Sequence, residues 1–74
     1  MGRVLHLIKS ADHALALAAI DQQRQAGDTI TVAVLPGGVA PSLDASVTLR
    51  RVPDDLSWEG LLDLVFESDH VVTW

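Results

Sequence analysis

The chain has 74 residues, 49% of them hydrophobic, and carries 10 acidic against 5 basic side chains, for a formal net charge of −5. This balance argues against a general nucleic-acid binder, because affinity for phosphate backbones comes largely from clustered Lys and Arg. The sequence has no cysteine, which excludes disulfides, thiolate metal sites and cysteine nucleophiles. A chain this short forms one domain, 1–74, that buries only roughly 60% of its unfolded surface. Its high apolar content therefore predicts association with another subunit.

The first part of the chain predicts a strand followed by a helix. Val4 to Ile8 form a nearly continuous apolar run, which is typical of a strand buried on both faces of a parallel sheet. Ser10 or Asp12 is then placed to cap a helix, Ala14 to Ala19 are strong helix formers, and Gly27 ends the segment.

The middle of the chain predicts two further strands. In Thr29 to Leu35, Ile30, Val32 and Val34 alternate with Thr29, Thr31 and Ala33, and the segment ends at Pro36-Gly37-Gly38. The first strand, the helix and this strand thus form one parallel βαβ unit. Val39 to Ser46 are too short and too broken by proline for a second crossover helix. Val47 to Val52 then predict a third strand, and Arg50-Arg51 favour a position at an edge of the sheet with one arginine facing solvent.

The last part predicts a helix and a terminal strand. Asp55 or Ser57 can cap a helix in which five large apolar residues recur at helical spacing: Trp58, Leu61, Leu62, Val65 and Phe66. The segment from His70 to Trp74 is rich in β-formers. The order is thus β-α-β-β-α-β. We expect a small three-layer α/β/α sandwich around a mostly parallel sheet.

Four residues are candidates for facing a ligand, because open α/β sheets bind ligands at the carboxyl ends of their strands: Ser10, His13, Gly37 and Gly38. The alternatives are that Ser10 and Asp12 only cap the helix and that the glycines only terminate a strand. Ser10, Asp12 and His13 lie within one turn and cannot converge as a nucleophilic triad, so no catalytic residue is assigned. The segment from Ser10 to His13 also lacks the glycines that let a loop bind a phosphate, and no cofactor is predicted.

The histidines and paired carboxylates do not predict a metal site. His6, His13 and His70 lack the spacing that presents two ligands on one face, and no cysteine supplements them. We expect His6 to be a hydrogen-bonded strand residue and His70 to mark a strand boundary, although either could face a ligand. Asp54-Asp55 could hold a cation or serve in acid–base chemistry, but as charges at a helix start they need neither explanation.

Trp74, Val72 and Trp58 are the candidate interface residues. Aromatic side chains bury large areas and are enriched at interface hot spots, so we expect Trp74 at or beside a subunit contact. Trp74→Ala should then weaken association by about 2 kcal/mol or more. The alternative is that Trp74 folds back onto Trp58 and Phe66.

Three segments resemble one protein family: "LHLIKS" at the front, "GDTITVAVLPGGVAP" in the middle, and "RVPDDLSWEGLLDLVFESDHVVTW" at the end. They are similar to the DsrH/TusB branch of the DsrE/DsrF/DsrH sulfur-relay family. The shared features are a leucine-histidine strand, a "GD" before an apolar strand, a glycine-valine turn, an acidic helix entry and a final strand ending in Trp. The resemblance implies a mostly parallel α/β/α sandwich in a cytoplasmic complex that passes persulfide sulfur between proteins, toward tRNA wobble-uridine thiolation or sulfur oxidation.

The chain departs from the family in two respects. It has no thiol, and a relay step requires a cysteine thiolate to accept a persulfide sulfur. The Val39 to Ser46 connection is also shorter than the family's helical link, which would leave part of one sheet face uncovered. We therefore expect a non-catalytic accessory subunit that binds DsrE/TusC/TusD-type proteins, a second copy of itself, or both.

No apolar run approaches the roughly 20 residues of a membrane helix, so a membrane partner is not expected and the predicted location is cytoplasmic. The alternative function is a small-molecule or nucleotide-binding module, and an enzyme that works without cysteine comes third.

Overall fold

The computed structural model describes residues 2–9, 14–39 and 46–74. Its strands form one sheet in the order β3-β2-β1-β4, and every neighbouring pair is parallel. The predicted parallel sheet with two helices is confirmed. In chain order the elements are β1 (Arg3–Ile8), α1 (Ala14–Gln25), β2 (Thr29–Val34), β3 (Thr48–Arg51), α2 (Trp58–Glu67) and β4 (His70–Thr73).

The two helices lie against opposite faces of the sheet. Side chains alternate between the faces along a strand, so Val4 and Ile8 of β1 point to one face and Leu5 to the other. The first pair packs with Ile20 of α1, and Leu5 packs with Leu61 of α2. Both cores consist of apolar side chains that are almost fully buried, and their burial is the main stabilising contribution.

Helix α1 ends as the sequence predicts. Gly27 has a φ of +90°, a conformation that glycine adopts without steric cost. Its N–H donates to the Arg24 carbonyl at 3.1 Å, and the Asp28 N–H donates to the Gln23 carbonyl at 3.1 Å, which together form a Schellman motif. The predicted capping residues Ser10 and Asp12 lie outside the described residues.

Helix α2 begins at a serine cap. The Ser57 hydroxyl accepts the Gly60 N–H at 3.0 Å, so Ser57 and not Asp55 is the N-cap. The Asp55 carboxylate instead accepts the backbone N–H of Arg51 at 3.1 Å. This contact closes the turn between β3 and α2.

Strand β3 is shorter than the predicted Val47 to Val52 segment and lies at one edge of the sheet. Both Arg50 and Arg51 are exposed, whereas only one was expected to face solvent. Arg50 and Arg51 point to opposite faces, as successive strand residues do, and both reach water because the strand lies at the edge of the sheet. Within the described ranges, no helix has the length and apolar character needed to cross a membrane.

Candidate functional site

His6 lies in the middle of the sheet and is completely buried. Its Nε2 lies 2.6 Å from Oε1 of Gln23 on α1, and its Nδ1 accepts the indole N–H of Trp74 at 2.8 Å. Because the indole can only donate, Nδ1 must be the acceptor, and Nε2–H then donates to Gln23. The expectation that His6 is a hydrogen-bonded strand residue is confirmed, and both ring nitrogens already have partners within the chain.

Trp74 follows β4 and covers His6 on the α1 face. The two rings stack with centroids 6.0 Å apart and planes inclined by 16°, and the indole packs against the core that contains Ile20. The alternative that Trp74 folds onto Trp58 and Phe66 is wrong, because those residues belong to α2 on the opposite face of the sheet. The half-buried Trp74 therefore contributes to the folded core, and its part in a subunit contact stays a prediction.

The glycine turn after β2 lies close to the end of β1. The Leu35 N–H donates to the Ile8 carbonyl at 2.8 Å, and the Gly38 N–H donates to the Leu35 carbonyl at 2.9 Å. A Cβ atom on Gly38 would lie only 2.6 Å from the Ile8 oxygen, and Gly37 has a φ of +91°. Glycine at both positions is thus explained by the turn itself.

A depression of about 370 Å³ lies beside this turn, at the carboxyl ends of β2 and β3. Its lining includes Gly37, Gly38, Arg51 and Asp54. This is the edge at which parallel sheets bind ligands. The other predicted ligand-facing residues, Ser10 and His13, lie outside the described residues, so the structure does not place them relative to the depression.

One flank of α2 carries three large apolar side chains that do not pack on the sheet. Trp58, Leu62 and Phe66 are 54%, 55% and 79% exposed. Their i, i+4, i+8 spacing places them on one side of the helix. We call this surface the α2 flank.

The five large apolar residues that recur at helical spacing in α2 divide between the sheet and the surface. Of these five, only Leu61 and Val65 pack against the sheet, where they are joined by Leu64. The physical reason is that a sheet covers only part of a helix circumference, and the five residues span more than that part.

Strand β4 carries the remaining interface candidate. Val72 is half-buried, pairs with His6 of β1, and points to the α1 face. His70 is exposed at the first position of β4, which confirms it as a boundary residue. In the described parts of the chain, no group of three or more histidine or acidic side chains is arranged to hold a metal ion.

Sequence reasoning named Trp58 and Val72 but missed Leu62 and Phe66 as surface residues and Gln23 as a partner of His6. The signal for Leu62 and Phe66 was available in the excess of apolar positions around α2. Comparisons with protein-family models, with curated proteins and with solved structures find no match.

Proposed function

We propose that this protein is a non-catalytic accessory subunit of a cytoplasmic sulfur-relay assembly of the DsrE/TusD kind, with a DsrH/TusB-like α/β/α fold. The observation that carries the proposal is the α2 flank, where three large apolar side chains remain exposed on a small protein. Contiguous apolar surface of this kind marks protein contacts. The resemblance of the sequence to the DsrH/TusB branch supplies the class of partner.

The lack of cysteine determines the role within such an assembly. Accepting a persulfide sulfur requires a thiolate that attacks the donor sulfur and forms a new S–S bond. No side chain of this protein can perform that step. The protein therefore contributes surface to the assembly, and the transferred sulfur is carried by a cysteine of a partner.

Reconstitution with purified DsrE/TusC/TusD-type subunits tests the proposal. The wild type should co-elute with them in size-exclusion chromatography, and Phe66→Lys should not, because a charge in a desolvated contact is costly. Leu15→Lys on α1 is the matched control, since Leu15 is 75% exposed and Phe66 is 79% exposed. Wild type that elutes alone, or equal losses in the two variants, would contradict the proposal.

A sulfur-loading experiment tests the non-catalytic role separately. After incubation with a cysteine desulfurase and labelled cysteine, the purified protein should retain no covalent sulfur. Label that survives denaturation and is released by a reductant would show that the chain carries sulfur itself and would overturn the accessory role.

The depression beside Gly37 and Gly38 supports a second candidate function, binding of a small anionic molecule or nucleotide. The specific observation is that Arg51 lines a space together with Gly37 and Gly38 at the carboxyl edge of the sheet. Titration with ATP and with orthophosphate, followed by NMR shifts of the glycine amides, tests this function. Arg51→Gln should abolish shifts that Arg50→Gln leaves unchanged, and an absence of shifts in the wild type rules out these ligands.

A further inference from the structure

The two edges of the sheet differ in how they are protected. At one edge β3 carries the exposed side chains of Arg50 and Arg51. At the other edge β4 has the sequence HVVT and contains no Lys, Arg, Asp, Glu or Pro. Natural proteins protect edge strands with charges, prolines or bulges, because an unprotected edge pairs with another strand. The β4 edge lacks the charges and prolines.

The hydrogen-bond pattern identifies the backbone groups that face this open edge. The Leu35 N–H donates to the Ile8 carbonyl, so the backbone N–H and C=O groups of the even-numbered β1 residues point to β2. Those of the odd-numbered β1 residues point to β4. The Trp74 N–H accordingly donates to the Leu7 carbonyl at 2.8 Å. Because successive residues of a strand direct their backbone groups to alternate sides, Val72 shares the orientation of Trp74. The N–H and C=O groups of Val71 and Thr73 therefore point away from β1.

The α2 flank lies on the same side of the molecule as this edge. On one side of α2, Leu64 and Glu67 line a depression together with Thr29 and Thr31 of β2. At about 100° per residue, Trp58 and Leu62 point to the other side of the helix, toward β4. Val71, which is 39% exposed, lies on this face of the sheet because it pairs with the inward-facing Leu5.

We propose that a second copy of this chain occupies the β4 edge, with the two β4 strands antiparallel and Val72 on the two-fold axis. In this register Val71 lies opposite the partner's Thr73. Each such pair exchanges both of its outward N–H···O=C hydrogen bonds. The pairing joins two four-stranded sheets into one continuous sheet.

The same operation covers two of the three residues of the α2 flank, Trp58 and Leu62. The two β1 strands would be three strand spacings apart, or about 14 Å, whereas directly packed helices lie about 8–10 Å apart. The α2 helices would thus face each other across a gap that suits bulky side chains, and Trp58 and Leu62 of each copy point into it. Each copy carries a net charge of −5. Glu59 and Asp63, however, are exposed on the side of α2 that points away from the sheet. The gap between the two α2 helices, which we call the seam, therefore contains neither of these carboxylates.

This inference deepens the proposed accessory role. It takes from that role one premise, namely that the α2 flank is a protein contact. Phe66 points farther from the sheet than Leu62 and remains accessible beside the seam for a relay subunit. Experiments on the isolated protein therefore test self-pairing, and the reconstitution described above tests the relay function, so that failure of one is distinguishable from failure of the other.

Cross-linking tests the register directly, because the protein has no cysteine of its own. Opposed residues of a non-hydrogen-bonded antiparallel pair have Cα atoms about 4.5 Å apart, within the range of about 4.4–6.8 Å that a disulfide spans. Under mild oxidation, Val72→Cys should form a covalent dimer. Thr48→Cys, exposed on the β3 edge, should remain monomeric in a denaturing gel.

Sedimentation across a concentration series measures the association itself. Val71→Pro removes an outward N–H that does not bond to β1, a position at which proline is tolerated, and should weaken dimerisation at least tenfold without changing the circular dichroism. Should Val71→Pro fail to fold, Leu62→Lys on the exposed α2 flank is expected to weaken dimerisation to the same extent. A wild type that sediments only as a monomer overturns the proposal. So does a dimer that neither Val72→Cys cross-links nor Leu62→Lys weakens.

Discussion

Replacing Trp74 by Phe tests the buried hydrogen bond that joins the last residue of the chain to its first strand. The change keeps an aromatic ring over His6 but removes the indole N–H that donates to Nδ1 at 2.8 Å. His6 is 0% exposed, and a buried acceptor left unsatisfied costs about 1–3 kcal/mol. For a domain of this size, a loss of about 2 kcal/mol corresponds to a fall in Tm of about 8–16 °C.

A double-mutant cycle with His6→Leu isolates this interaction. Leucine has no ring nitrogen, so Trp74→Phe leaves no orphaned acceptor in that background and should cost at least about 1 kcal/mol less than in the wild type. The assay is urea unfolding followed by far-ultraviolet circular dichroism at one protein concentration. Leu15→Met is the control, because Leu15 is 75% exposed on α1, outside the proposed dimer contact, and should change the unfolding free energy by no more than about 0.5 kcal/mol. Equal costs of Trp74→Phe in the two backgrounds would refute the hydrogen bond as a source of stability.

Three further substitutions probe the helix cap, the glycine turn and the core. Ser57→Ala should lower the unfolding free energy by about 1 kcal/mol, and Ser57→Gly by only a few tenths; equal losses in urea titrations would show that the hydroxyl does not cap α2. Gly38→Ala should cost about 1–3 kcal/mol, because its Cβ would lie 2.6 Å from the Ile8 carbonyl oxygen, and an unchanged Tm would contradict that close approach. Ile20→Val should cost about 0.5–1.5 kcal/mol at a site that is 2% exposed, and a neutral result in calorimetry would place Ile20 outside the core.

The end of α1 and the start of α2 could be predicted from the sequence because their causes are local. The Ser57 hydroxyl reaches an N–H three residues along the chain, and Gly27 takes the positive φ that ends α1. Both signals depend only on neighbouring residues, so they can be read without knowing the fold. The edge position of β3 follows similarly from Arg50-Arg51, since two adjacent charges cannot both be buried at low cost.

The candidate interface could be predicted only in part. The sequence by itself determined that this protein has more apolar side chains than a small core can bury and no thiol for sulfur chemistry. Which side chains remain outside was decided by the tertiary structure, because the sheet covers only one side of α2 and leaves Leu62 and Phe66 uncovered.

The surroundings of His6 likewise depend on pairing that no local pattern reveals. Trp74 is 68 positions from His6 in the sequence and Gln23 is 17, and both reach the imidazole only because β4 pairs beside β1 and α1 packs across the same face. Long-range strand order also makes β4 the open edge of the sheet. Composition and local patterns therefore specified the elements and the excess of apolar side chains, whereas the order of the strands decided which surfaces stay exposed.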